Sequence, residues 1–285
     1  MTQTIRELLV NEIEKAFPPK SFVHVATSAG IDSSALVIAV KDAGMNPIIT
    51  SFTLNDREST DFKGAKKLAN YFNLEFVPVY VPTDKETIIG SVMANMFHYH
   101  FKKKADVECM YPFINMIQHL HKLGAKNLLN GLGADSHFCL SKKGMIHYKH
   151  TKKLFQQFRK EYFYGKENLQ VTMLPIICRK YGIKISTPFW EQSIYELFSD
   201  STWDELNKPR QKEPIRSAFP ELTPLKLKNH TNLQLGDSGI AQTVGEIMRK
   251  EFTPRAKSPV SAYNYMWKYL ETLSKGTPYK YKKLL

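Results

Sequence analysis

The sequence predicts an α/β fold, a doubly wound parallel sheet with a helical C-terminal part, on three observations. An apolar strand beginning at Val23 runs straight into a small, hydroxyl-rich turn, Ser28-Ala29-Gly30-Ile31-Asp32-Ser33-Ser34, and then into a helix. A second strand near residue 127 ends in glycines and an acid, Gly131-Leu132-Gly133-Ala134-Asp135. Between the two, β-rich and helical patterns alternate, as in a series of βαβ units with parallel strands.

Taken in order, residues 4–17 form one amphipathic helix, because Ile5, Leu8, Leu9 and Ile13 recur at helical spacing. Residues 22–27, 47–53, 74–81 and 127–131 are β-rich and bounded by turn formers, whereas 33–43, 60–71, 83–98 and 111–123 carry helical periodicity. After about Ser141 the pattern turns helical, with one short strand over 184–187, and no internal repeat or low-complexity segment interrupts it. The expected organisation is an N-terminal helix over 1–20 and one domain over 21–285, with a basic helical annex from about 141.

Composition narrows the class. With 285 residues, 42% of them hydrophobic, the chain can bury a full core. No apolar run approaches the roughly 20 residues needed to cross a bilayer, and Glu7, Glu12 and Glu14 make the first helix unlike a secretory leader. A cytoplasmic protein with no membrane partner is the expectation. Cys109, Cys139 and Cys178 are few, odd in number and far apart, which fits neither a disulfide framework nor a paired-cysteine metal site. His98 and His100, like His119 and His121, are spaced i, i+2 and point to different faces of a helix, an arrangement poorly suited to sharing a metal.

The net charge of +13 is concentrated. Residues 141–166 hold Lys142, Lys143, Lys149, Lys152, Lys153, Arg159, Lys160 and Lys166 against Glu161 alone, interleaved with Tyr148, Phe155, Phe158, Tyr162, Phe163 and Tyr164; residues 275–283 add a second basic run. Interleaving of this kind suits phosphate contact with base stacking, hence a nucleic-acid or nucleotide partner. It equally suits a solvated helix face over a buried stripe of Leu154, Phe155, Phe158 and Tyr162. Part of any positive field is also expected from a phosphate site.

The first turn has the makings of such a site: free backbone N–H groups and the positive end of the following helix dipole meet where a phosphate oxygen could sit, and Gly30 permits close approach. It is not a Walker loop, since the GxxxxGK[ST] lysine is missing. Two strand-end turns distant in sequence can face one cleft of a doubly wound sheet. Asp32 and Asp135 then form a carboxylate pair suited to Mg²⁺, which takes oxygen ligands and reaches nucleotides through one or two carboxylates plus phosphates.

The turn Ser28 to Ser34 resembles the PP-loop, SGGxDS, of the ATP pyrophosphatases, with Ala29 in place of the first glycine, and Gly131–Asp135 resembles the GxGAD(E) turn of asparagine synthetases and β-lactam synthetases. Further segments follow in the same order. Ser186-Thr187-Pro188-Phe189-Trp190 is similar to RxPFLD, and Lys212 to Ala218 to KxxLRxA. Residues 225–240, with Lys228, Gly236 and Gly239, are similar to RxKxxxxxGxG, and Thr253 to Lys257 to PxxKE. The resemblance spans roughly residues 20 to 275. It implies the strand order 3-2-1-4-5 of the adenine nucleotide alpha hydrolase-like fold, and cleavage of ATP to AMP and pyrophosphate. Ser28, Ala29, Gly30, Ile31, Asp32, Ser33, Ser34, Gly131 and Gly133 would then line the nucleotide, Asp32 and Asp135 hold Mg²⁺, and Lys212, Asp135 and Arg216 carry catalysis. Lys208 is the rival for the role of Lys212.

The departures concern the acceptor. Leu132 stands where the family commonly has Glu or Tyr, Ser136 where an acid usually follows the aspartate, and Trp190-Glu191 at the aspartate of PFLD. Thr2 occupies the place of the nucleophilic cysteine of glutamine-dependent members, and only a short helix precedes Ser28. Nitrogen is therefore expected from free ammonia, an amine on a substrate, or a separate amidotransferase partner. The resemblance implies an AMP-forming amide ligase that adenylates a small-molecule carboxylate. The alternatives are a PP-loop enzyme modifying a nucleotide or nucleic-acid base, and a non-catalytic nucleotide-binding module.

Overall fold

The computed structural model describes residues 4–165, 169–227 and 238–274. Strands β1 (Phe22–Ala26), β2 (Asn46–Leu54), β3 (Phe76–Val81), β4 (Asn127–Leu129) and β5 (Lys184–Ser186) form one sheet in the order β3-β2-β1-β4-β5, as the resemblance implied. β1 pairs in parallel with both β2 and β4, placing His24 opposite Ile48 on one side and Leu128 on the other. β4 pairs in parallel with β5. Strand order reverses between β1 and β4, so the carboxyl ends of these two strands mark the place where such sheets bind ligands.

The chain divides into two compact units. The first comprises Met1–Ser51, Thr60–Pro78 and Ile117–Asn232, the second Phe52–Ser59, Val79–Met116 and Leu233–Leu285. The division expected near residue 20 is not one of these boundaries. Helix α1 (Ile5–Ala16) belongs to the first unit, with Leu9 and Ile13 fully buried in its core. Its start is sealed by a reciprocal cap: Glu7 N–H donates to the Thr4 hydroxyl (3.3 Å) and Thr4 N–H to the Glu7 carboxylate (2.7 Å).

Helix α2 (Ile31–Asp42) is apolar almost all round, from Ala35 to Val40, and is correspondingly buried almost all round, as a helix with no polar face must be. Helix α3 (Thr60–Phe72) buries only one stripe, Phe62, Ala65, Leu68 and Ala69.

In the second unit, helix α4 (Lys85–Tyr99) begins at Asp84, whose carboxylate accepts Thr87 N–H at 2.9 Å. Helix α5 (Lys104–Lys122) starts seven residues before the periodicity predicted. Pro112 lies inside it; a proline there removes one ladder bond and reads from sequence as a boundary, yet the helix runs through. The unit is completed by α13 (Ile240–Phe252) and α14 (Val260–Ser274). Its buried Glu108 accepts the Tyr263 hydroxyl (3.1 Å) and the Lys104 ammonium (2.6 Å).

The remaining helices of the first unit are short or moderate: α6 (Ala134–Phe138), α7 (Lys142–His147), α8 (Lys152–Tyr164), α9 (Leu169–Lys180), α10 (Gln192–Leu197), α11 (Trp203–Asn207) and α12 (Glu213–Ala218). Four have six residues or fewer between residues 134 and 207, too short to persist alone, so tertiary contacts set their directions. No helix among the described residues is long and apolar enough to cross a membrane.

Candidate active site

At the end of β1, Thr27 N–H donates to Thr50 O at 2.8 Å, and the chain then turns into α2. The left-handed residue of this turn is Ala29, at φ 54, whereas Gly30 sits at φ −75, where any residue fits. An alanine held left-handed costs roughly 1–2 kcal/mol. Room for its methyl comes from Gly64 in the middle of α3: a Cβ added there would lie 2.7 Å from the Ala29 Cβ. The glycine missing from the loop thus reappears on the neighbouring helix.

Inside the turn, Ser28 N–H donates to the Ser33 hydroxyl, which donates to Gly30 O, both at 3.3 Å. No side chain caps α2, so its first amides face the carboxyl end of the sheet, as an anion site requires. The Ser34 hydroxyl is fully buried without a hydrogen-bond partner among the described residues.

The second turn leaves β4 through Asn130. Its side-chain carbonyl accepts Leu132 N–H (3.0 Å), and its amide donates to the Thr187 hydroxyl (3.0 Å). A Cβ on Gly131 would stand 3.6 Å from the Asp32 Cβ and the Ser33 nitrogen, so the two turns meet here. Gly133 is required twice over: its φ is 92, and a Cβ would come within 2.8 Å of the Trp190 ring. Helix α6 begins at this point and carries Asp135.

Lys212, from the far end of the chain segment, completes the cluster. Its ammonium donates to Asp32 Oδ2 and, at 2.6 Å, to Asp135 Oδ1. The lysine side chain is 3% exposed, Asp32 17% and Asp135 49%. Burial alone would lower the Lys212 pKa, but Asp135 and Asp32 outweigh it and hold the pKa above the ordinary lysine value. The backbone of Lys212 is itself left-handed (φ 60), and its N–H donates to Asn207 Oδ1 at 3.3 Å. Lys208, the rival, is 64% exposed and pairs with Asp204 on its own helical turn.

Each carboxylate gives Lys212 one oxygen. Carboxylate oxygens are the ligands a hard cation takes, and the side chain of Asp135 is half exposed. The oxygen donors of Asp32 and Asp135 are of the kind Mg²⁺ takes, and these are the residues that could hold it. No group of three or more His, Cys, Asp or Glu that could hold a metal occurs among the described residues.

Arg216 stands beside this cluster, near enough for its guanidinium to interact electrostatically with Asp32. Its Nε–H donates to Gln211 O (2.9 Å), and it lines a cavity of about 320 Å³ with Ile31, Arg210, Phe219 and Lys226. Burial lowers its pKa and neighbouring Arg210 adds to this, while Glu213 and Asp32 oppose. It therefore borders the first turn at Ile31 without hydrogen-bonding to the Lys212 cluster.

In the basic segment, Phe155 and Phe158 are buried as the stripe requires, but two expectations are corrected. Tyr162 is 44% exposed, because the buried face of α8 turns through Arg159 instead. Arg159, counted among the surface cations, is 1% exposed. Its spacing, four residues after Phe155, places it beside the stripe, while its charge reads as external. Lys142 is described only in its backbone, and Lys166, Lys228, Gly236 and residues 275–283 lie outside the described residues. The three cysteines are free, and burial pushes each thiol up to about 12, leaving them inert as nucleophiles.

Against known proteins, the family model described as asparagine synthase matches residues 4–219. No curated protein matches the chain. Among solved structures, a predicted subunit of tRNA methyltransferase from Methanocaldococcus jannaschii is 16% identical, covering 74% of this chain and 94% of its own, with a TM-score of 0.34. NMN synthetase from Francisella tularensis is 14% identical, covering 80% and 97%, with a TM-score of 0.33. Likenesses this low decide nothing about activity.

Proposed function

The chain belongs to the asparagine synthase family, whose members are ATP-using synthetases, and from that premise we propose an AMP-forming amide ligase. The observation that carries the reading is the convergence of Asp32, Asp135 and Lys212, drawn from three distant segments, at the carboxyl ends of β1 and β4. A substrate carboxylate attacks the α-phosphorus of ATP, giving an acyl-adenylate and pyrophosphate; a nitrogen nucleophile then displaces AMP. The first step asks little covalent work of the protein, so positioning and charge neutralisation supply the rate.

The amides at the start of α2 and the Ser28 and Ser33 hydroxyls hold phosphate oxygens. Asp32 and Asp135 are the residues that would hold Mg²⁺, and a bound ion would supply neutralisation of phosphate charge. Lys212 supplies a fixed positive charge beside the leaving pyrophosphate, already desolvated and oriented, so no reorganisation is needed as the charge appears. Leu132 carries no proton-transfer group, which leaves deprotonation of the nitrogen nucleophile to the substrate or to solvent. Ammonium or a primary amine is the nitrogen source for this chain, whether free or delivered by a partner protein.

The test is product analysis. Purified protein is incubated with ATP, Mg²⁺ and fractionated cell extract, and nucleotides and altered metabolites are resolved by mass spectrometry. AMP and pyrophosphate support the reading; ADP and orthophosphate sink it. Omitting ammonium and amines should stop product formation, and glutamine alone should not restore it.

A further inference from the structure

Arg159 is an unusual residue to find at 1% exposure. Burying a guanidinium costs several kcal/mol unless its donors are met, and an apolar side chain of similar volume would fill the same space without that cost. No carboxylate pairs with it among the described residues. Its terminal nitrogens donate to Gln156 Oε1 (2.6 Å), Phe198 O, Tyr195 O (2.6 Å) and His137 Nδ1 (3.5 Å), and its carbon lies 4.8 Å from the centre of the Tyr195 ring. The group is held by neutral acceptors gathered from α6, α8 and α10.

The bond to His137 has a directional consequence. The other ring nitrogen, Nε2, lies 2.6 Å from Phe189 O. A carbonyl only accepts, so Nε2 carries the proton and Nδ1 must be an acceptor; arginine has only donors to offer it. Arg159 and Phe189 O therefore favour the same tautomer, and Arg159 reinforces the one in which His137 grips Phe189 O. That carbonyl backs onto the second turn, 3.3 Å from where a Gly133 Cβ would be. Helix α6 has five residues, and its direction is set from outside: by His137 on this side, and by Asn207, whose amide donates to Phe138 O (3.1 Å) while its carbonyl accepts Lys212 N–H. Asp135, two residues before His137, points where these anchors aim it.

We propose that Arg159 is a positioning residue which, by reinforcing this His137 tautomer, holds the turn carrying Asp135 in register with Lys212. The consequence for catalysis rests on the ligase reading above; the geometric claim does not.

The test uses the full-length protein labelled with ¹⁵N, as wild type, Arg159→Met and Arg159→Lys. Circular dichroism and melting report folding. Long-range ¹⁵N–¹H spectra report the His137 tautomer, and the Lys212 ammonium signal, assigned by its absence in Lys212→Met, reports contact with Asp135. Wild type should show the Nε2–H tautomer alone. Folded Arg159→Met should show mixed tautomers and a displaced Lys212 signal, with Arg159→Lys, which keeps a donor, closer to wild type in both. In a third arm, calorimetry should find Mg²⁺-dependent ATP binding weakened at least fivefold in Arg159→Met and metal-free ATP binding within twofold.

A folded Arg159→Met that keeps the pure tautomer, or that loses it with the Lys212 signal unmoved, overturns the proposal. If Arg159→Met does not fold, the same two comparisons are made with Arg159→Gln, which removes the guanidinium and shortens the side chain, and wild-type spectra there overturn the proposal. Absence of ATP binding by the wild type would strike the ligase reading alone, since the two spectroscopic arms contain no nucleotide.

Discussion

Replacing Lys212 by methionine keeps most of the length of the side chain and removes the charge shared by Asp32 and Asp135. Both carboxylate oxygens are within hydrogen-bond reach of one ammonium, so they stand at most about 5 Å apart. At that separation and an effective dielectric of about 20, two bare carboxylates repel by about 3 kcal/mol. Asp135 is half exposed and can swing toward water, so the expected loss of stability is about 1–3 kcal/mol, a fall in Tm of several degrees.

The effect on chemistry should be larger in kind. A fixed ammonium beside a developing anion in a desolvated site is worth about 3 kcal/mol to the transition state, so turnover should drop roughly a hundredfold. The KM for ATP should change by less than about threefold, because the interaction grows as pyrophosphate leaves. The assay is AMP formation at saturating ATP and Mg²⁺, at a temperature where circular dichroism shows the variant folded. Lys208→Ala serves as the control, since Lys208 is exposed and engaged only with Asp204. Turnover within threefold of wild type in Lys212→Met, or a loss confined to KM, would falsify the assigned role.

Asp32→Asn and Asp135→Asn should each reduce AMP formation to background while melting within a few degrees of wild type, because the amide keeps the shape but removes an anionic oxygen from the metal pair; measurable activity at wild-type Mg²⁺ would refute the pairing. Gly64→Ala should destabilise the protein by about 1–3 kcal/mol, since its methyl would meet the Ala29 methyl at 2.7 Å. Ala29→Gly should relieve both that clash and the left-handed strain, so the double variant should recover most of the lost stability in urea titrations. His24, buried beside Thr50, is held down to about 4 by desolvation and by nearby His119, against about 6.5 unfolded. Between these values the unfolded chain binds the extra proton, so stability present above pH 6.5 is lost as pH falls toward 4, by up to about 3 kcal/mol; urea midpoints of His24→Gln should depend less on pH over that window.

The strand pattern and both turns were legible before any coordinates because each is local, whereas Lys212 stood out only through the resemblance of its segment to KxxLRxA. Residues 22–27 and 127–131 are short apolar runs ending in turn formers, and a period-2 or period-3.6 pattern is a property of consecutive residues. The start of α5 was not legible, because Pro112 carries a local signal for a boundary that packing around Met110, Tyr111 and Ile114 overrides. Nor was the different bonding of Arg216 and Lys212, four residues apart and one turn on a regular helix: the left-handed backbone of Lys212 ends that regularity, and its side chain reaches Asp32 and Asp135, while Arg216 donates to Gln211 O and lines a cavity with Ile31.

The amino-acid order alone determined which segments carry the two strand-end turns, the carboxylates of Asp32 and Asp135 and the charge of Lys212, since these are identities along the chain. Tertiary structure decided what faces what. It supplied Gly64 opposite Ala29, from a helix more than thirty residues away in the chain. It turned Arg159 from a surface cation into an internal one, bonded to carbonyls that no sequence pattern distinguishes from any others. Every residue carries the same carbonyl and nearly the same amide, so the partners of a buried donor depend on how elements pack rather than on which residues they contain, and only the folded chain specifies them.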